Sequence, residues 1–95
     1  MIDQIKMGKP HTYNHRKIIL VEYTGATWDK SRTLTIAKHE TEKTWSIFEE
    51  KRRYTGNGMT CEKSIVYYGR DMDLRTAKQR AIALLEDYHA KITAA

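Results

Sequence analysis

Arg32-Thr33-Leu34-Thr35-Ile36-Ala37-Lys38 and Thr44-Trp45-Ser46-Ile47-Phe48-Glu49-Glu50 are two alternating runs, separated by the polar stretch His39-Glu40-Thr41-Glu42-Lys43. Alternation of polar and apolar side chains with period two marks a strand with one face on a core. A polar connection this short is of hairpin length, so the two runs are expected to pair antiparallel. Leu34 and Ile36 then lie beside Trp45 and Ile47 on the buried side. Upstream, Lys17-Ile18-Ile19-Leu20-Val21-Glu22-Tyr23 is apolar on both alternating faces, as suits a central strand or one covered on both sides. Downstream, Ser64-Ile65-Val66-Tyr67-Tyr68 reads as a short strand ending at Gly69. The period then changes. Leu74, Ala77, Ala81, Leu84, Leu85, Tyr88 and Ile92 recur at helical spacing and form one apolar stripe. Asp73 or Thr76 is placed to cap that helix, and Thr76 with Gln79 fits a capping box.

The expected fold is α+β: a four-stranded antiparallel sheet with one long C-terminal helix packed on one face, spanning residues 17–95. Lys51–Thr60 reads as a glycine-bearing loop, with a tight reversal at Asn57-Gly58. Residues 1–16 carry Gly8, Pro10 and few large apolar side chains, and read as a flexible basic arm. Nothing in the pattern covers the second sheet face. A free face bearing threonines and aromatic rings is a natural binding surface.

A chain of 95 residues makes one domain. A domain of this size buries only about 60–65% of the surface its unfolded chain exposes, so its core is thin and a deep catalytic cavity is not expected. A thin core and an exposed sheet edge make a homodimer an expected option. The longest apolar run, Ile18-Ile19-Leu20-Val21, is far too short to span a bilayer. Met1-Ile2-Asp3-Gln4 opens without the charged and apolar regions of a secretory signal, and Cys61 is the sole cysteine, which excludes an internal disulfide. The expected location is the cytoplasm.

Charge is the most informative feature. Residues 51–80 hold eight basic and three acidic side chains, a balance of +5 that equals the net charge of the whole chain. The basic set includes Lys51, Arg52, Arg53, Lys63, Arg70, Arg75 and Lys78, with Tyr54, Tyr67 and Tyr68 interleaved. Lysine and arginine belong on any solvated face, and a net charge of this size is ordinary for solubility. The sharper reading is phosphate binding. Arginine outnumbers lysine in this window by five to three, and the guanidinium fork matches phosphate oxygens bidentately. Tyrosines beside cations suit stacking on unpaired bases. The candidate nucleic-acid contacts are therefore Lys51, Arg52, Arg53, Tyr54, Lys63, Arg70, Arg75 and Lys78, expected to converge on one patch.

Gly69-Arg70-Asp71-Met72-Asp73-Leu74-Arg75-Thr76-Ala77-Lys78-Gln79-Arg80-Ala81 leads from a strand into an alanine-rich helix. It resembles the last strand and helix of double-stranded-RNA-binding domains, with Ala77-Lys78-Gln79-Arg80-Ala81 matching their helix-opening run. Leu74 and Arg75 stand where that family has lysines, and its first helix and Gly-Pro-x-His loop have no counterpart here. The hairpin with Trp45, together with Gly69–Tyr88, also looks like the integrase-type DNA-binding domains of three strands and a helix found in plant transcription factors and phage integrases. The Lys51–Thr60 segment is long for that layout. A short basic single-domain chain is also similar to accessory proteins of phages and mobile elements, anti-CRISPR proteins among them. These resemblances imply a non-enzymatic nucleic-acid-binding protein, with RNA favoured over DNA. The alternative is a protein-binding inhibitor of a host nucleoprotein complex, such as a phage anti-defence protein, with Trp28 in its loop as the partner contact.

Other chemistries are poorly supplied. His11, His15, His39 and Cys61 lack the spacing of a zinc motif, so no metal or other cofactor is expected. Cys61 has no adjacent base in the sequence to activate it. Glu40, Glu42, Glu49 and Glu50 read as solvating charges rather than an acid–base pair. No phosphate-cradling glycine motif occurs.

Overall fold

A computed structural model describes residues 1–56 and 60–94, and every side chain among them except those of Tyr54, Thr55 and Thr60. In chain order the elements are β1 (Ile5–Met7), β2 (His11–Tyr13), β3 (Arg16–Tyr23), a single 3-10 turn (Trp28–Lys30), β4 (Arg32–His39), β5 (Trp45–Thr55), β6 (Thr60–Met72) and α1 (Leu74–Thr93). All strand pairs are antiparallel and lie in the order β1-β3-β4-β5-β6, with β2 also paired to β3. The fold is α+β, one sheet with one helix across it.

The central hairpin is as the alternation predicts: Ile36 of β4 stands opposite Ile47 of β5. Strand alternation sends Ile19, Val21, Tyr23, Leu34, Ile36, Trp45 and Ile47 to one side, where they are buried. Ala77, Ala81 and Leu85 of α1 seal them and are fully buried too. The two alanines let the helix axis approach the sheet closely. Asp73 caps α1, its carboxylate accepting the Thr76 backbone N–H at 2.7 Å. Thr76 therefore sits inside the first turn, and the capping box with Gln79 is not used.

Three expectations need correction. The sheet has six strands rather than four. Residues 1–16 are not a separate arm, since β1 and β2 pair with the two ends of β3. They form one kinked edge, broken at Gly8-Lys9-Pro10. Gly8 donates its N–H to the Leu20 carbonyl at 2.8 Å, and a Cβ on it would meet that same oxygen at 2.8 Å. A side chain there would push the edge off the sheet. The turn back into β3 is a two-residue loop with Asn14 and His15 both at positive φ, 50° and 62°. That is the mirror-image geometry whose twist matches a hairpin. The third correction is Lys51–Thr60. Here β5 continues to Thr55 and β6 begins at Thr60, paired residue by residue from Glu49↔Val66 out to Thr55↔Thr60. The reversal expected at Asn57-Gly58 lies outside the described residues.

Candidate functional site

Because α1 covers one side of the sheet, the other side is open. Alternation along the paired strands puts Arg16, Ile18 and Leu20 of β3, Thr33, Thr35 and Ala37 of β4, Ser46, Phe48, Glu50 and Arg52 of β5, and Lys63, Ile65 and Tyr67 of β6 on that open side. Thr35, Phe48 and Tyr67 form one row across three strands. The rings of Phe48 and Tyr67 lie 5.7 Å apart at a tilt of 52°. Tyr67 remains 46% exposed and Ile65 53%. The Arg70 guanidinium carbon sits 3.9 Å from the Tyr67 ring centre, close enough for a cation–π contact on one face of the ring. Arg52 stands directly opposite Lys63 further along the hairpin, and exposed Glu50 approaches Arg52 at 3.8 Å.

The cross-strand pair Ala37↔Ser46 is the smallest on this face. Short side chains at that point leave an open depression of about 170 Å³, floored by Ala37 and Ser46 and walled by Phe48 and Tyr67. Arg16, Lys38, His39 and Glu42 complete its lining. Lys38 is tethered, its ammonium donating to the Glu42 carbonyl at 2.7 Å and lying 5.6 Å from the Trp45 ring centre. Arg16 is exposed and makes no ion pair among the described residues.

The cations expected to converge are divided between two layers. Arg52, Lys63 and Arg70 share the open face. Lys51 lines a groove on the helix side, and Arg53 has the same parity. Arg75 is exposed and Lys78 half-buried on α1, beyond the sheet. The Tyr54 side chain is outside the described residues. A two-residue period makes the split unavoidable, since neighbours in the run Lys51-Arg52-Arg53 point to opposite faces once the segment is a strand. Trp28 is 89% exposed on its 3-10 turn.

Tyr68 belongs to a different constellation. In the seam between sheet and helix, Arg32 donates to both oxygens of Glu49, Nε to Oε2 at 3.0 Å and Nη2 to Oε1 at 2.7 Å. The Tyr68 hydroxyl donates to Glu49 Oε1 at 2.7 Å, and the Arg32 guanidinium carbon lies 4.7 Å from the Tyr88 ring centre. Burial pushes the Glu49 carboxyl up, but hydrogen bonds from Arg32 and Tyr68 and the charges of Arg32 and Lys51 outweigh it, holding the group below its ordinary range. The adjoining groove is larger, about 540 Å³. Its central groups are already bonded to one another, so they offer an incoming ligand little. Among the described residues no three His, Cys, Asp or Glu side chains stand together as a metal cage, and no helix is long and apolar enough to cross a membrane.

No protein-family model, curated protein or solved structure matches this chain. The site therefore rests on its own geometry. Its residues that the charge pattern alone misses are Arg16, Ala37, Ser46 and Phe48. The signal for Ser46 and Phe48 is present in the same alternation that assigns Trp45 and Ile47 to the core, because the intervening positions must face the other way.

Proposed function

We propose that this protein is a non-enzymatic nucleic-acid-binding module, with RNA preferred over DNA, whose contact surface is the open sheet face. The observation that carries the reading is the pairing of half-buried Phe48 with exposed Tyr67, with Arg52, Lys63, Arg70 and Arg16 around them on one side of the sheet. Four cations spread over three strands, β3, β5 and β6, suit a chain of phosphates better than a single anion. Aromatic rings among them suit base faces. The hydroxyls of Thr33, Thr35 and Ser46 on the same side supply neutral donors and acceptors of the kind a ribose 2′-OH uses. In this reading Arg75, Lys78 and Arg53 lie off the main track.

The test is a gel shift with short RNA and DNA at about 50 mM salt, a condition in which phosphate contacts are strong. Arg52→Glu with Lys63→Glu reverses two neighbouring charges on an exposed hairpin and is expected to abolish retention with the fold intact by circular dichroism. Retention unchanged in that double variant sinks the reading. A second reading, an inhibitor that docks on the protein component of a host nucleoprotein complex, as phage anti-defence proteins do, has one observation in its favour: Trp28 at 89% exposure. Exposed tryptophans are typical anchors of protein interfaces. Under that reading Trp28→Ala, not the charge reversal, removes the interaction.

A further inference from the structure

We infer that the Ala37–Ser46 depression is a receptacle for one unpaired base, so that the nucleic acid this face takes is single-stranded; this rests on the reading just given. Three features of the depression point the same way. Its floor is made of the two short side chains of one cross-strand pair, which leaves a concavity where neighbouring pairs fill the surface. Its wall is aromatic, and the tilt of 52° between Phe48 and Tyr67 makes that wall a corner rather than a flat platform. A corner of two rings contacts one planar group on its face and its edge. It does not suit two bases that remain stacked in parallel. Its rim carries the exposed guanidinium of Arg16, within reach of a phosphate flanking that base.

A duplex has little use for such a site. Its base faces are hidden against one another, and only its backbone and groove edges reach a protein surface. An unpaired strand presents base faces freely, and stacking on aromatic side chains is the recurrent way proteins hold it. Arg70 lies outside the lining and over the Tyr67 ring, so it backs that wall with a positive charge. Glu42 at the rim carries a like charge to phosphate, which orients the strand so that its backbone passes on the Arg16 side and not over Glu42.

The experiment compares a fluorescently tagged 12-nucleotide oligoadenylate with its blunt duplex with oligouridylate, at matched salt. The single strand is expected to bind at least tenfold more tightly. Tyr67→Ala removes half the wall and Ser46→Trp fills the floor; each is expected to weaken oligoadenylate binding by about tenfold or more, the usual scale for losing one stacked base. Both positions are on the open face, away from the helix-side core, and Tyr67→Ala alone decides the matter if the larger side chain perturbs the fold. If the duplex binds as tightly as the single strand, or if oligoadenylate binds Tyr67→Ala as it binds the parent, the receptacle is refuted while nucleic-acid binding stands. If neither polymer binds the parent protein at low salt, the functional reading itself falls.

Discussion

Glu49 is the one charged side chain among the described residues that the fold buries, and everything around it is arranged to keep it ionised. Arg32 grips both its oxygens and Tyr68 donates a third hydrogen bond. Removing one partner of such a pair strands the other. For a fully buried pair that costs about 3–5 kcal/mol. Arg32 keeps some access to solvent, so Glu49→Ala is expected to cost about 2–4 kcal/mol in urea denaturation. Replacing both partners by apolar residues, Arg32→Met with Glu49→Leu, is expected to recover most of the loss, because no charge is then left unpaired. The pH dependence follows from the same contacts. Glu49 is more acidic folded than unfolded, so the unfolded chain takes up the proton first. Its stabilisation is complete above the ordinary glutamate pKa of about 4.3 and is lost as the pH falls through the lower folded value. The thermal midpoint of the parent should fall over that acid range, and Glu49→Gln should flatten the fall.

At the scale of elements, α1 is the part most legible in the sequence. Its apolar stripe has a helical period over its whole length, and Asp73 is a conventional cap. Asp73→Ala should lower stability by about 1 kcal/mol, measured by thermal melting, with the sheet unaffected. The β4–β5 pairing is legible for a similar reason, as both strands press one alternating face on the helix. The outer half of the β5–β6 hairpin is not legible. Its strands carry Lys51, Arg52, Arg53, Glu62 and Lys63, with no apolar alternation to mark them. Where no layer covers a hairpin, neither face has to be apolar, and the pattern that betrays a strand disappears. β1 and β2 are hidden for another reason. They are three residues each, shorter than any periodicity window, and their pairing depends on Gly8 and on the Asn14-His15 turn. The depression is harder still to read, since Ala37 and Ser46 come from different strands and become neighbours only through the register.

For the whole molecule, the division of charge between two layers sets what salt should do. If all eight basic groups of residues 51–80 acted together, binding would collapse with modest salt. Four cations on the open face, Arg16, Arg52, Lys63 and Arg70, imply a gentler slope. Affinity for a single strand is expected to fall about 50-fold between about 50 and 200 mM salt, and for a duplex held by the same four groups about 150-fold. Titrations at several salt concentrations give the slope directly. A slope near twice the expected value would mean that cations on the helix side, Lys51, Arg53, Arg75 or Lys78, also reach the polymer.

The two tryptophans sit in opposite surroundings, Trp45 at 8% exposure under the helix and Trp28 at 89% on its turn. Excited at the same wavelength, the first emits from a dry site and the second from water. With Trp28→Phe in place, the remaining indole becomes a single optical reporter whose emission shifts to the red as the helix lifts from the sheet. Trp45 adjoins Ser46 in the chain but points through the sheet to its opposite side, so that colour change tracks unfolding and stays silent to whatever settles on the far surface.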